Sequence, residues 1–179
     1  MSLLKIIDKE FVPYLGEQEI QEKITLLAAQ LNKEYEGKKP LFLSILNGSF
    51  LFTADLFKQI TIEAEVSFIK LASYKGTSST GNVITAIGLD ANVNGRHVII
   101  LEDIIDTGKT LHHYLPELAS HQPASVKIAV LLNKTEALAY PVKVDYSCFD
   151  IPNKFVVGYG LDYDGLGRNS KDIYQLKED

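Results

Sequence analysis

The sequence of 179 residues holds one cysteine, no tryptophan and, among its 18 basic residues, only two arginines. The single Cys148 cannot form an internal disulfide or build a cysteine metal site, which favours a reducing compartment. No apolar run reaches the ~18 residues that a membrane-spanning helix requires. The N-terminal segment MSLLKIIDKEF lacks the apolar core of a signal peptide. These absences predict a cytoplasmic protein that does not interact with membranes.

Positive charge is also scarce, since 18 Lys and Arg stand against 23 Asp and Glu and give a net charge of −5. General nucleic-acid binders neutralise phosphates with clustered Lys and Arg, so we predict no nucleic-acid partner. A hydrophobic content of 46% with six prolines excludes a disordered or low-complexity chain. The length fits a single domain.

Hydrophobic periodicity predicts the secondary structure. Apolar residues recur at spacings of three and four over residues 18–36, which indicates an amphipathic helix. Short apolar and β-rich runs predict strands at 41–46, 62–71, 83–87, 97–101, 126–132 and 154–160. Helices are expected at 50–59, capped by Ser49, and at 107–120. Strands that alternate with helices predict an α/β fold with a mostly parallel sheet.

The densest chemistry follows the predicted strand 97–101, where ligands of open α/β sheets bind. Three acids (Glu102, Asp103 and Asp106) precede a turn of small residues, 107–110. Backbone N–H groups at the start of a helix suit a phosphate, whereas carboxylates suit hydroxyl groups, a divalent cation or a proton. A Walker A loop would need glycine at Asp103 and a Rossmann fingerprint would need glycine at Tyr163, so both motifs fail.

The segment VIILEDIIDTGKTL (98–111) resembles the signature with which type I phosphoribosyltransferases bind 5-phosphoribosyl-1-pyrophosphate (PRPP). SYKGTSSTG (73–81), Lys134 in LLNKTEA and KFVVGYGLDYDG (154–165) are similar to the hypoxanthine and hypoxanthine-guanine members of that family. The resemblance runs from about Leu41 to Arg168. It implies a parallel sheet flanked by helices, in one domain with a core at about 38–150. A small hood would come from the N-terminal segment and about 151–179.

The resemblance implies magnesium-dependent transfer of a phosphoribosyl group from PRPP to N9 of hypoxanthine, and of guanine, with release of pyrophosphate. It also implies a homodimer or homotetramer. One alternative is a xanthine- or adenine-preferring transferase. Another is a regulatory relative that keeps the phosphoribosyl site and binds RNA, which the net charge of −5 disfavours.

The resemblance assigns the phosphoribosyl site to the acidic strand end and the turn after it. Asp106 corresponds to the general base near N7 of the purine. Glu102 and Asp103 correspond to the acidic pair on the ribose hydroxyls and, with Asp162, to the magnesium ligands. The loop around the 5′-phosphate comprises Asp106, Thr107, Gly108, Lys109 and Thr110.

Other segments correspond to the purine and pyrophosphate sites. Lys134 would donate to the purine 6-oxo group, because an ammonium has donors only and disfavours the amino group of adenine. Phe155 would stack on the base, with Val156 and Asp162 beside it. The competing interpretations are structural: Asp106 as a helix cap, Lys134 as a surface lysine and Phe155 as packing.

Arg168 corresponds to the pyrophosphate-binding arginine, whose planar fork suits phosphate oxygens. Asn47 and Gly48 correspond to the pyrophosphate loop, in which the family usually has lysine at the position of Asn47. Ser73 and Tyr74 would be the contacting residues of a lid at 73–81, which excludes water when it closes.

Overall fold

The computed structural model describes residues 2–73 and 83–178. Its largest element is a central sheet of six strands. The strands are β1 (Leu4–Ile6), β2 (Lys9–Leu15), β3 (Leu41–Leu46), β4 (Glu65–Ser73), β5 (Val83–Ile87), β6 (His97–Ile105), β7 (Ser125–Asn133), β8 (Tyr146–Asp150), β9 (Val156–Val157) and β10 (Ile173–Leu176). The helices are α1 (Glu17–Glu34), α2 (Phe50–Phe57) and α3 (Lys109–Ser120), with a 3₁₀ turn at Thr135–Ala137.

The central sheet has the strand order β5-β4-β3-β6-β7-β8, in which β5 is antiparallel and the other five strands are parallel. Residues 98–101 of β6 are fully buried, as expected for a parallel strand covered on both faces. One face packs against α1 and α2, through Ile24, Leu31 and Phe52, and the other against α3, through Leu111 and Leu118. The predicted α/β fold with a mostly parallel sheet is therefore confirmed.

The terminal segments form a second, antiparallel sheet with the order β1-β2-β10-β9, which confirms the predicted hood. Its small core contains Ile6, Phe11, Val157 and Tyr174. The strands β1, β2, β8 and β10 were not predicted. The expected strand at 154–160 is wrong in length, because positive φ angles of 97°, 50° and 99° at residues 158–160 turn the chain after β9. The division into a core at 38–150 and a hood remains a prediction.

Two local predictions near the site also differ from the structure. Strand β6 continues to Ile105, so Glu102 and Asp103 lie inside the strand instead of after it. Ser49 does not cap α2 with its side chain; its hydroxyl donates to the Ile45 carbonyl and lies 2.8 Å from the Ser44 hydroxyl. The hydroxyl therefore ties the loop after β3 back to its own strand.

Helix α3 begins at Lys109, two residues later than predicted, because Gly108 at its N-cap has a left-handed φ of 78°. None of the helices within residues 2–73 and 83–178 has the length and apolar character needed to cross a membrane.

Candidate active site

The carboxyl ends of β3 and β6 border a cavity of about 300 Å³. Three distant parts of the sequence line it: the loop after β3, the end of β6 with the start of α3, and the segment after β9. The predicted site residues on its wall are Asn47, Gly48, Glu102, Asp103, Asp106, Thr107, Gly108, Lys109, Thr110, Asp162 and Arg168. The structure thus brings the predicted phosphoribosyl and pyrophosphate residues together.

The acidic pair of β6 has limited access to solvent, with Asp103 buried and Glu102 half-buried. Asp103 is 8% exposed, and its Oδ1 accepts a hydrogen bond of 2.9 Å from the backbone N–H of Ile104. Burial, followed by the charge of Asp103, raises the pKa of Glu102 well above its ordinary value. Burial also raises the pKa of Asp103, against the lowering effects of its hydrogen bonds and of Arg168. Such a pair favours a bound proton or cation.

Gly48 is required by this pair, because a Cβ atom there would lie 1.5 Å from Oδ2 of Asp103. Gly160 packs closely on the same loop, because a Cβ atom at residue 160 would lie 2.0 Å from the Gly48 carbonyl oxygen. Gly160 also has a φ of 99°, which side chains rarely adopt. This close approach shows that the segment after β9 packs directly on the predicted pyrophosphate loop. The peptide bond between Leu46 and Asn47 in that loop is cis.

Arg168 is fixed at the wall of the cavity by two contacts. Its Nη1 donates to the Gly160 carbonyl at 2.6 Å, and its Nη2 forms an ion pair of 2.6 Å with Oδ1 of Asp162. The other oxygen of Asp162 accepts from the backbone N–H of Gly165 at 2.7 Å. The guanidinium is therefore held in place before any anion binds.

The turn between β6 and α3 is held in place by contacts from residues 139–142. The Thr107 carbonyl accepts from the backbone N–H groups of Ala139 and Tyr140 at 3.0 and 3.1 Å. A Cβ at Gly108 would lie 3.1 Å from the Val142 side chain. The N-cap Gly108 has no side chain to cap α3, and the Thr107 hydroxyl accepts only from the Lys109 N–H, at 3.3 Å, so an anion could bind at the other N–H groups of the first turn. Asp106 precedes the N-cap, and its interpretation as a helix cap is wrong.

Lys134 follows β7 and is only 6% exposed, so its interpretation as a surface lysine is wrong. Its backbone N–H donates to the Ile105 carbonyl at 2.9 Å. Its ammonium lies 3.3 Å from Oδ2 of Asp106 and 3.4 Å from Oδ1 of Asn153. The Asp106 side chain is 54% exposed and open to a ligand. Asn153 was not predicted.

Phe155 precedes β9 and is 44% exposed, so it is not a core residue. Its ring lies 6.2 Å from that of Phe11 and 5.9 Å from that of Tyr163, and these neighbours leave much of the ring open. Val156 is buried in β9. Of the predicted lid contacts, Ser73 ends β4, whereas Tyr74 and the loop to residue 82 lie outside the described residues.

The residues present suit a hard cation. Among the described residues, no three His, Cys, Asp or Glu side chains are arranged to hold a metal ion by themselves. Mg²⁺, however, usually takes one or two carboxylates and completes its shell with substrate phosphates and waters. The buried pair Glu102 and Asp103, with raised pKa values, fits that donor set.

Comparison with known proteins agrees with this geometry. Residues 14–164 match the family model of the phosphoribosyl transferase domain. A curated relative, the hypoxanthine-guanine phosphoribosyltransferase of Lactococcus lactis, is 49% identical over 98% of this chain and 94% of its own. The hypoxanthine-guanine-xanthine phosphoribosyltransferase of Tritrichomonas foetus is 41% identical over 96% and 93%.

Among solved structures, a hypoxanthine phosphoribosyltransferase of Staphylococcus aureus superimposes with a TM-score of 0.88 at 39% identity, covering 92% of this chain and 90% of that one. Sequence, fold and cavity agree across nearly the whole chain. The protein therefore belongs to the phosphoribosyltransferase family, among its hypoxanthine-guanine members.

Proposed function

We propose that this protein is a purine-salvage enzyme that transfers the phosphoribosyl group of PRPP to N9 of hypoxanthine and guanine and releases pyrophosphate. The observation that carries the proposal is the cavity at the end of β6. It joins an anion-binding turn, a buried acidic pair and a fixed arginine, with the pair of Lys134 and Asp106 at its edge. Relatives at 41–49% identity carry the corresponding names.

The turn from Asp106 to Thr110 binds the 5′-phosphate through backbone N–H groups at the start of α3. Glu102 and Asp103 accept hydrogen bonds from the ribose hydroxyls. The same two carboxylates, with Asp162, would hold Mg²⁺. When bound, the ion neutralises negative charge on the hydroxyls and the pyrophosphate.

Asp106 is the general base in this proposal. The purine must lose a proton as N9 attacks C1 of the ribose, and a carboxylate near N7 can accept it. The Asp106 side chain is half-exposed toward the cavity and has the Lys134 ammonium 3.3 Å away. The ion pair with Lys134 holds the carboxylate at the edge of the cavity.

Lys134 selects the base. An ammonium has three N–H donors, and Asp106 and Asn153 engage two of them. The third is free to donate to a purine 6-oxo group, whereas the amino group of adenine offers no matching acceptor. The open ring of Phe155 stacks on the base, and Val156 and Asp162 lie along its edge.

Arg168 and the backbone of Asn47 and Gly48 hold the pyrophosphate. Negative charge develops on this leaving group as the ribose becomes an oxocarbenium ion, and donors fixed in advance stabilise that charge most effectively. The Asn47 side chain contributes a neutral amide where the family usually has a lysine. Ser73 and Tyr74 belong to a lid that excludes water from the ribosyl centre. A homodimer or homotetramer in the cytoplasm completes the proposal.

A panel of bases tests the function. The protein is incubated with PRPP, Mg²⁺ and either hypoxanthine, guanine, xanthine or adenine, and the product nucleotide is followed. We expect conversion of hypoxanthine and guanine and none of adenine. Absence of product from hypoxanthine would contradict the proposal. Xanthine is included because a relative named for xanthine is 41% identical.

A further inference from the structure

A hydrogen-bonded group outside the cavity joins the two halves of the proposed pyrophosphate site. Tyr159 is 2% exposed, and its hydroxyl donates to Oδ2 of Asp55 at 2.6 Å. Gln21 of α1 donates to the same oxygen at 2.7 Å, and Lys58 pairs with the other oxygen at 2.6 Å. The Asp55 carboxylate is thus saturated with donors, and one of them comes from a residue 104 positions away.

One end of this contact controls the position of Arg168. Tyr159 stands between Gly158 and Gly160, in the turn with three consecutive positive φ angles. The backbone N–H of Gly160 donates to the Arg168 carbonyl at 3.0 Å, and its carbonyl accepts from the guanidinium at 2.6 Å. A displacement of Tyr159 would therefore move the arginine with it.

The other end is attached to the loop that faces Arg168. Asp55 lies on α2, which begins directly after the loop of Asn47, Gly48 and Ser49. The first turns of α2 are tied to β3, because the Ser44 hydroxyl lies 2.7 Å from that of Thr53 and 2.8 Å from that of Ser49. The helix and the loop therefore move as one unit.

We infer that Tyr159 and Asp55 are positioning residues that clamp the Arg168 turn onto the loop at Gly48 and so set the width of the pyrophosphate site. This inference rests on the proposed function. Neither side chain lines the cavity, so neither touches the reacting atoms. Burial, and then the bond to Asp55, raises the pKa of Tyr159, so its hydroxyl stays a donor throughout the physiological range.

The decisive variant is Tyr159→Phe, which removes the hydroxyl and keeps the ring. We expect KM for PRPP and the inhibition constant of pyrophosphate to rise about tenfold, which corresponds to about 1.4 kcal/mol. KM for hypoxanthine should stay within about twofold of wild type, since Lys134 and Phe155 are not displaced. Asp55→Asn, which keeps an acceptor oxygen and loses the charge, should give a smaller shift of the same kind.

Tyr146→Phe is the matched control. Tyr146 is also buried, and its hydroxyl bonds with Glu34 of α1, but it lies on the edge strand β8, two strands from β6, and does not line the cavity. It should lower the melting temperature as Tyr159→Phe does and leave both KM values unchanged.

An unchanged KM for PRPP in Tyr159→Phe, with wild type active, would overturn the clamp alone. The same holds for a shift that Tyr146→Phe reproduces. If Tyr159→Phe does not fold, Asp55→Asn decides by the same two KM values. Wild-type protein that yields no nucleotide from hypoxanthine would instead overturn the proposed function.

Discussion

Two kinds of carboxylate stand three residues apart at the end of β6. Asp103 is buried and Glu102 half-buried, and burial raises the pKa of both carboxyl groups. Asp106 is 54% exposed and lies beside the buried ammonium of Lys134. The contrast shows how a short acidic motif can separate two tasks: in the proposed function, the acidic pair binds a cation and hydroxyl donors, and the open residue accepts a proton.

The largest effect should come from the open carboxylate. Asp106→Asn removes the proposed base, and we expect kcat on hypoxanthine to fall about 10²–10⁴-fold, the usual contribution of general base catalysis. Because the variant also leaves the buried Lys134 ammonium without its anionic partner, the melting temperature should fall as well. Steady-state kinetics and thermal unfolding measure the two quantities.

Asp90→Asn is the control for this change, because Asp90 is an exposed aspartate outside the cavity. It should keep wild-type kcat. Retention of kcat by Asp106→Asn as well would remove the difference between the two kinds of carboxylate.

The buried pair should show the opposite pattern. Glu102→Gln imitates the protonated residue, so it should weaken PRPP binding about tenfold and yet raise the melting temperature of the free protein at pH 7 by about 2–4 °C, the shift for ~1 kcal/mol in a chain of this size. Calorimetry and KM for PRPP test both parts. Glu117→Gln on the exposed face of α3 should change neither, and a lower melting temperature in Glu102→Gln would contradict the prediction.

The pH dependence of that gain follows from the direction of the shift. A carboxyl whose pKa is raised on folding holds its proton more tightly in the folded protein than in the unfolded chain. Its contribution to the free energy of unfolding is therefore largest in acid and declines as pH rises toward the folded pKa. The melting-temperature difference between Glu102→Gln and wild type should accordingly shrink as pH falls below 7. A constant difference from pH 7 to pH 5 would contradict a raised pKa.

The smallest effect should come from Asn153, which binds the same Lys134 ammonium as Asp106. Asn153→Ala removes one acceptor from the Lys134 ammonium, so we expect KM for hypoxanthine to rise about threefold with KM for PRPP unchanged, as for the loss of one weak hydrogen bond. Asn153→Asp restores an acceptor and should restore KM. An equal rise in both KM values would show that Asn153 acts on the whole cavity instead of the base.

The sequence predicted the core of the fold because its signals are local. The period of α1 and the apolar runs of β3, β6 and β7 are each visible within about ten residues, as expected of covered parallel strands. The hood was expected from the resemblance alone, and its strands were not visible in the pattern, since β2 contains Pro13, which argues against an inner strand. Its pairing also joins residues as distant as Phe11 and Leu176.

The candidate site was likewise predictable only where its residues form a recognisable motif in the sequence. The acids and the turn at 102–110 form one continuous motif, and the resemblance added Lys134 and Arg168. Sequence reasoning could not find the contact between Tyr159 and Asp55, because no pattern links residues 104 positions apart. The cap assigned to Ser49 was wrong because this residue already has helical φ and ψ angles of −74° and −2°, whereas a capping residue is usually extended, and its hydroxyl donates to the Ile45 carbonyl.

The place of β10 in the hood has a consequence for biosynthesis. This strand lies between β2 and β9, and the backbone N–H of Leu176 donates to the Phe155 carbonyl at 2.8 Å. A nascent chain exposes β2 first and β9 much later, yet the two strands have no shared hydrogen-bonding partner until β10 has left the ribosome. The strands of the central sheet all precede β10, so the proposed wall of the purine site is completed after the sheet that carries the proposed base.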